Sequence, residues 1–359
     1  MKHIGIDARL LFQTGVGTYI QNLLHYLDEF NLSHLTFTIY CLPSDVDCVK
    51  KELPHSRVVV TKAHWHSLSE QVEFLATINR DNLDLMHFTY FGHPILYSRP
   101  SISTIHDITP LLYKTGKAST RSSLIYAVKH AAFSVVLQNQ IKKSVAIITP
   151  TQTVKEQLLG IYGESFQNKI HAIHEGISFS LLDEKAGERA LVGDYYLYVG
   201  NFYPHKNVEF LVRAFAKSNS TKQVVLAGPH DYFLKRLLDS LSPHEKKHLI
   251  IKEKQTRSEL ISLYQNATAL IHPSVSEGFG LPLVEAIHFG LPIIASHIPV
   301  FQELLGTSYY SFDPYEESSF ISALQSFESD TVKKVNSIQD DFSFREMTKK
   351  TVELYRTHA

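Results

Sequence analysis

Short apolar runs alternate with helical patterns along almost the whole chain, and that alternation limits what it can become. The runs "HIGI", "LTFTIYC", "RVVV", "LDLMHFT", "SISTIHD" and "SVAIITP" come first, then "YYLYVG", "KQVVLAG", "HLIIK", "TALIHP" and "LPIIAS". Many are β-branched and uninterrupted by polar residues, as strands covered on both faces are. Between them stand segments with helical spacing, such as "TYIQNLLHYLDEF", "NVEFLVRAFAKS" and "RSELISLYQNA". Strand then helix, repeated over this length, predicts an α/β fold with parallel sheets. The 359 residues exceed one ordinary core and suit two domains. A polar stretch, "LLDEKAGERALVGD" at 181–194, interrupts the alternation and is the expected linker. Ligands of open parallel sheets bind outside the carboxyl ends of the strands. Two Rossmann-like halves would therefore place a crevice between them, with functional residues just after strands.

Composition narrows the class. Hydrophobic residues make up 44% and charged residues 20%, with a net charge of −1, which fits a globular protein and favours no particular partner. No apolar run reaches the roughly 18–20 residues of a membrane span, and the start "MKHIGIDARLL" has no signal-peptide design. Two cysteines, Cys41 and Cys48, make neither a disulfide framework nor a zinc set, so a reducing cytoplasm is the expectation. One local bias stands out. Residues 108–155 hold no acid but carry Lys114, Lys117, Arg121, Lys129, Lys142, Lys143 and Lys155 among apolar residues. Such a segment can lie peripherally on an anionic membrane; the plainer alternative is a buried helix with its lysines in solvent.

Chemistry concentrates at four places. In "HPSVSEGFGLPLVEAIHFGLP" a strand should end near Pro273 and a glycine turn should lead into a helix starting at Pro282 and stopping at Gly290. Glu277 then precedes the helix and Glu285 lies one turn inside it. The amides of Phe279, Gly280 and Leu281 can face an anion at that helix start, and the two acids suit hydroxyls of a sugar or ribose. The alternative is that both acids merely favour the helix dipole. In "YVGNFYPHKN", Lys206 follows a strand and is a compact cation placed for a diphosphate, unless it is an ordinary loop lysine. Gly15 and Gly17 open a helix after the first strand. With Ile20 where a dinucleotide fingerprint needs a third glycine, they read as an anion-binding loop or as a plain turn. His106, in "TIHDITP", follows a buried strand and should face the crevice, unless it is a packed structural residue; Asp107 could orient its ring or cap the next turn. An Asp-x-Asp pair, Asp45 and Asp47, would suit a metal-dependent transferase, but "CLPSDVDC" also reads as surface turn.

The stretch "EGFGLPLVEA" resembles the E-x7-E signature of retaining GT-B glycosyltransferases of family 4 (glycosyltransferase group 1), and the resemblance spans nearly the whole chain. It implies a GT-B fold: an acceptor-binding domain at 1–185, a nucleotide-sugar-binding domain at 186–340, and a C-terminal helix at 341–359 returning to the first domain. It assigns Glu277 to donor-sugar hydroxyls, Glu285 to the ribose, Lys206 to the diphosphate and His106 to the donor sugar near the reacting carbon. His106, Lys206 and Glu277 are the expected catalytic set. Gly15, Gly17, Asn201, Lys206, Glu277, Gly278, Phe279, Gly280, Leu281 and Glu285 are the expected donor-binding set. Three positions depart from the family's pattern: Asn201 where many members have Arg, Glu175 where the strand usually ends in Asn-Gly, and Glu253 where many have glycine beside the nucleobase. "IGIDARLL", "TGVGTY" and "IHDITP" look most like mannosyltransferase-type members. The implied reaction moves a sugar, with mannose from GDP-mannose favoured, to a saccharide or lipid-linked saccharide in cell-surface polysaccharide synthesis. It needs no metal and no cofactor beyond the nucleotide-sugar co-substrate, and nucleic acid is not a partner. A nucleotide-sugar epimerase and a non-catalytic nucleotide-sugar binding protein are the alternatives.

Overall fold

The structure is a computed structural model. It describes every residue except Asn31, 113–122, Asp183, Ala186, 188–193 and 336–341, and only the backbone of 112 and 123–129. The chain divides into two compact units, one formed from residues within 1–178 and the C-terminal segment, the other from residues within 179–340.

The first unit holds a seven-stranded sheet of β1 (Lys2–Asp7), β2 (Leu35–Cys41), β3 (Arg57–Val60), β4 (Leu85–Phe88), β5 (Ser101–Thr104), β6 (Ala146–Thr149) and β7 (Ile170–Ala172). Their order is β3-β2-β1-β4-β5-β6-β7 and every pairing is parallel. The second unit holds β8 (Tyr195–Val199), β9 (Gln223–Gly228), β10 (Leu249–Glu253), β11 (Ala269–His272), β12 (Ile293–Ser296) and β13 (Tyr310–Phe312). These run in the order β10-β9-β8-β11-β12-β13, again all parallel. Counted within each unit, the first six strands of both sheets follow the Rossmann order 3-2-1-4-5-6.

Burial explains why the strands could be read from the sequence. Every residue of β4, β5, β6, β11 and β12 is buried, as helices on both faces require. The edge strands β3 and β10 are partly exposed. Among the described residues the short β13 pairs only with β12, and it has no apolar run to announce it.

The C-terminal helix Phe344–His358 belongs to the first unit, where it packs on the helix Val16–Glu29. It starts at Ser343, whose hydroxyl accepts from the Glu346 N–H. Its lead-in lies against the loop after β7: Ile177 bridges Ser343, and a Cβ on Gly176 would stand 2.5 Å from Ser343 Cα. The Gly176→Ala substitution is therefore expected to destabilise the protein by about 1–3 kcal/mol. Gly160→Ala, in the helix Gln152–Tyr162 with nothing within 4 Å of the added carbon, should instead stabilise it by about 0.5–1 kcal/mol. Urea unfolding of both variants checks the pair, and equal midpoints would contradict the close approach at Gly176.

Candidate functional site

In the second sheet, neighbouring crossovers leave in opposite directions between β8 and β11, so the edge opens there. The loops after these two strands carry the expected residues. After β8, a 3-10 turn at Pro204–Lys206 precedes the helix Val208–Lys217, with Asn207 in the left-handed region at φ 57°. The Val275 N–H donates to the His205 carbonyl at 2.9 Å, tying this loop to the one after β11. Lys206 Nζ then donates to both carboxylate oxygens of Glu277, at 2.7 and 2.8 Å. His272, the last residue of β11, lies with Nε2 3.0 Å from Glu277 Oε1, and its ring stacks on Tyr198. Burial by itself would raise the Glu277 carboxyl; the Lys206 ammonium and His272 outweigh it and hold the group far below the usual carboxylate range. Burial pushes the His272 ring down, with Glu277 opposing.

The helix Leu281–His288 begins two residues after Phe279, with Gly280 as N-cap at φ 104° and no side chain capping it. Pro282 is its second residue, and Gly290, at φ 65°, lies just past its end. Glu285 accepts from the Tyr264 hydroxyl at 2.5 Å. Tyr264 comes from the helix Arg257–Asn266, which opens with a capping box of Thr256 and Glu259. Burial raises the Glu285 carboxyl, although the Tyr264 hydrogen bond lowers it. The two acids are therefore unlike. One is a firmly ionised ion-pair partner and the other binds its proton more readily than usual. Asn201 turns its backbone carbonyl to the Tyr198 hydroxyl at 2.5 Å, and its side-chain oxygen accepts from the Tyr203 N–H at 3.4 Å. Glu253, at the end of β10, pairs with His230 at 2.7 Å.

The first unit assembles a second cluster. His106 follows β5 and is buried. Its Nε2 lies 2.9 Å from the Thr89 carbonyl oxygen, and its Nδ1 lies 3.0 Å from Glu175 Oε1. Beside it runs a hydrogen-bonded chain: Tyr355 Oη to His87 Nδ1 at 2.6 Å, His87 Nε2 to Thr104 Oγ1 at 2.8 Å, and Thr104 Oγ1 to Tyr19 Oη at 3.0 Å. Burial pushes the His87 ring down to about 3, and His106 adds to the effect. Also buried, Arg9 donates to Asp7 at 2.8 and 2.7 Å and to Glu70 at 2.8 Å, with its guanidinium 3.6 Å over the Phe74 ring.

Several local expectations change. Asp107 does not orient His106; it accepts the Thr109 N–H at 2.8 Å, and the ring's acidic partner is Glu175. The Gly17 N–H donates to the Gln13 and Thr14 carbonyls at 2.6 and 2.8 Å, so this amide is spent within the loop. Gly17 is needed instead for close approach, since a Cβ would stand 2.5 Å from the Leu11 carbonyl oxygen. Gly15 is the N-cap of the helix Val16–Glu29. Asp45 is buried in a 3-10 turn, where the Ser44 hydroxyl bonds it at 2.5 Å. Among the described residues, no group of three or more His, Cys, Asp or Glu is placed to hold a metal ion. Most of the basic stretch's central cations, Lys114, Lys117, Arg121 and Lys129, lie outside the described residues or have undescribed side chains. Lys143 donates to the Ile95 carbonyl at 2.6 Å. Tyr264, His272, Tyr19, His87 and Tyr355 were not singled out by the sequence; each lies in an ordinary apolar run or helical pattern.

Comparison with known proteins gives this geometry a class. Two family models match the chain in succession: Glycosyltransferase Family 4 over residues 13–181 and Glycosyl transferases group 1 over residues 180–341. The chain is 27% identical over 286 residues to the O-antigen chain mannosyltransferase RfbU of Salmonella typhimurium, covering 79% of this chain and 76% of that one. Sucrose-phosphate synthase from Thermosynechococcus elongatus superposes with a TM-score of 0.78 at 18% identity, over 99% of both chains. Anabaena HepE, solved in complex with UDP-glucose, gives 0.74 at 14% identity, over 99% of this chain and 100% of that one. The fold is the GT-B fold, two parallel-sheet α/β domains. The chain belongs to the glycosyltransferases, with a Family 4 domain followed by a group 1 domain.

The ion pair yields a test of stability. Lys206→Met leaves Glu277 without its main counter-charge. It should cost about 1–3 kcal/mol, below the 3–5 of a fully buried pair because part of the lysine meets solvent. Glu277 is depressed in the folded state, so its contribution is complete above the ordinary value of 4.5 and is lost as pH falls below it. The stability gap between the wild type and Glu277→Gln should therefore narrow as pH falls from about 5 towards about 2. Urea midpoints across that range check this, and a constant gap would contradict it.

Proposed function

We propose that the protein is a retaining glycosyltransferase that moves mannose from GDP-mannose to a saccharide or lipid-linked saccharide in cell-surface polysaccharide synthesis. The observation that carries the reading is the meeting of Lys206 and Glu277 at the opening between β8 and β11, just ahead of the helix that carries Glu285. The name of the Salmonella typhimurium relative supports mannose and surface polysaccharide, and the UDP-glucose in HepE supports a nucleotide-sugar donor. GDP rests on the resemblance of "IGIDARLL", "TGVGTY" and "IHDITP" to mannosyltransferase-type members.

In this reading the second unit binds the nucleotide sugar and the first binds the acceptor. Charge develops on the leaving diphosphate. A lysine ammonium has three N–H donors, and Glu277 takes two of them in the structure. The third, with the amides of Phe279, Gly280 and Leu281 at the helix start, is assigned to the diphosphate. Because Lys206 supplies the cation, the reaction needs no metal. Glu277 accepts donor-sugar hydroxyls, Glu285 shares its carboxylate between Tyr264 and the ribose, and His106 lies against the sugar. Asn201 and Gly15 complete the donor set, with Gly17 fixing the shape of its loop through close packing and not through its amide. With Glu277 held by Lys206 and His272, its lone pairs are poorly placed for covalent attack. A front-face route fits, in which the departing phosphate takes the acceptor proton and configuration is retained. The reading places the protein in the cytoplasm, peripherally at the inner face of the membrane through residues 108–155; among the described residues no helix is long and apolar enough to cross one.

A thermal-shift screen of GDP- and UDP-sugars tests the site. One nucleotide sugar should stabilise the wild type, by about 2.7 kcal/mol at a hundredfold excess over Kd. Glu285→Ala and Lys206→Ala should abolish the shift. GDP-mannose should give the largest effect and its turnover should release GDP. Stabilisation by a UDP-sugar alone would overturn the donor, and stabilisation retained in both variants would overturn the site.

A further inference from the structure

Both nitrogens of the His106 ring face an acceptor. Nε2 lies 2.9 Å from the Thr89 carbonyl oxygen, and Nδ1 lies 3.0 Å from Glu175 Oε1. A carbonyl oxygen only accepts, and so does an ionised carboxylate. A neutral imidazole has one N–H. In either tautomer, a bare ring nitrogen would therefore meet an oxygen lone pair at hydrogen-bonding distance. One more proton removes the conflict, on the ring or on Glu175. On the ring it gives each of the two facing oxygens its own N–H donor and pairs the imidazolium with the Glu175 carboxylate, so we place it there.

We infer that Glu175 is a positioning residue that holds His106 as an imidazolium, with both N–H groups committed within the protein. His106 then offers a bound sugar a fixed, positively charged ring edge of C–H groups and no N–H donor.

The surroundings agree. The Tyr19 ring meets His106 edge-on at 4.8 Å between centroids, and the Tyr90 ring lies at 6.4 Å. Burial raises the Tyr19 and Tyr355 hydroxyls and lowers the His87 ring, so these neighbours stay neutral. Asp107 turns its carboxylate to the Thr109 N–H. Glu175 is left as the counter-ion. Its place is set from outside its own loop: Gly176 and Ile177 are packed against the backbone of residues 342–344, so the C-terminal segment holds the acid against the ring. A glutamine at 175 would offer an N–H to Nδ1 and leave the ring neutral, with almost unchanged shape.

The role in transfer rests on the proposed function; the protonation state does not. Nitrogen-15 NMR of the histidine rings, with His106→Gln for assignment, reads the ring directly in the wild-type protein. At about pH 7.5 both His106 nitrogens should carry a proton, and in Glu175→Gln only one. With a nucleotide-sugar donor, Glu175→Gln should lower kcat roughly ten- to a hundredfold with donor KM changed less than about twofold. That is less than the loss when the acid of a catalytic triad is neutralised. A singly protonated ring in the wild type would overturn the inference without any variant having to fold. So would an unchanged kcat in Glu175→Gln. If the ring is doubly protonated but no nucleotide sugar is turned over, the proposed function fails and the assignment of the ring stands.

Discussion

A parallel sheet delivers the carboxyl ends of all its strands to one edge, and everything of chemical interest in this protein depends on that constraint. Each strand must be reached by a crossover, so residues far apart in sequence come to adjacent loops. Lys206 and Glu277 are 71 positions apart and share an ion pair. His106 and Glu175 are 69 apart and share a hydrogen bond. Both meetings occur at carboxyl edges, because the chain leaves each strand there. The order 3-2-1-4-5-6 within each unit further opens that edge between the first and fourth strands, where the loops of Lys206 and Glu277 lie.

Buried charge is the second organising factor. Arg9 is 1% exposed and would be costly to desolvate alone. Asp7, Glu70 and the Phe74 face enclose it, so the loop after β1 is fixed from its first residues. At the second site, Lys206 and His272 offset the burial of Glu277. Glu285 is buried beside the neutral Tyr264 hydroxyl, whose hydrogen bond only partly opposes burial, and its carboxyl is raised. Two glutamates eight residues apart, on either side of one glycine turn, thus differ because their neighbours come from different elements, β11 and the loop after β8 for one, the helix Arg257–Asn266 for the other.

Much of the fold was legible because burial on both faces writes itself into composition. β6, β11 and β12 are fully buried and read as unbroken apolar runs. β13, three residues long with its middle residue exposed, does not. The glycine turn before Leu281–His288 was legible for a local reason: a positive φ at Gly280 and a proline in the first turn are demands that neighbouring residues impose. The partner of His106 was not. Sequence proximity left Asp107 either to orient the ring or to cap the next turn, and it is the cap that forms: the carboxylate accepts the Thr109 N–H, a short-range bond that any Asp-x-Thr turn offers. Glu175 stood out only as a departure from a pattern. Nothing near residue 175 states that its loop is held down by residues 342–344.

The sequence by itself determined the alternation of buried strands and helices, the two-domain α/β class, and which loops would carry acids, glycines and a lysine, since these follow from local pattern and backbone permissiveness. Only the tertiary structure decided which side chains would share a proton or a charge. It joined Lys206 to Glu277, Tyr264 to Glu285 and Glu175 to His106. The physical reason is one of range. Secondary structure answers to neighbours within a few residues, whereas the ionisation and orientation of a buried group answer to whatever the crossovers bring within about 3 Å of it.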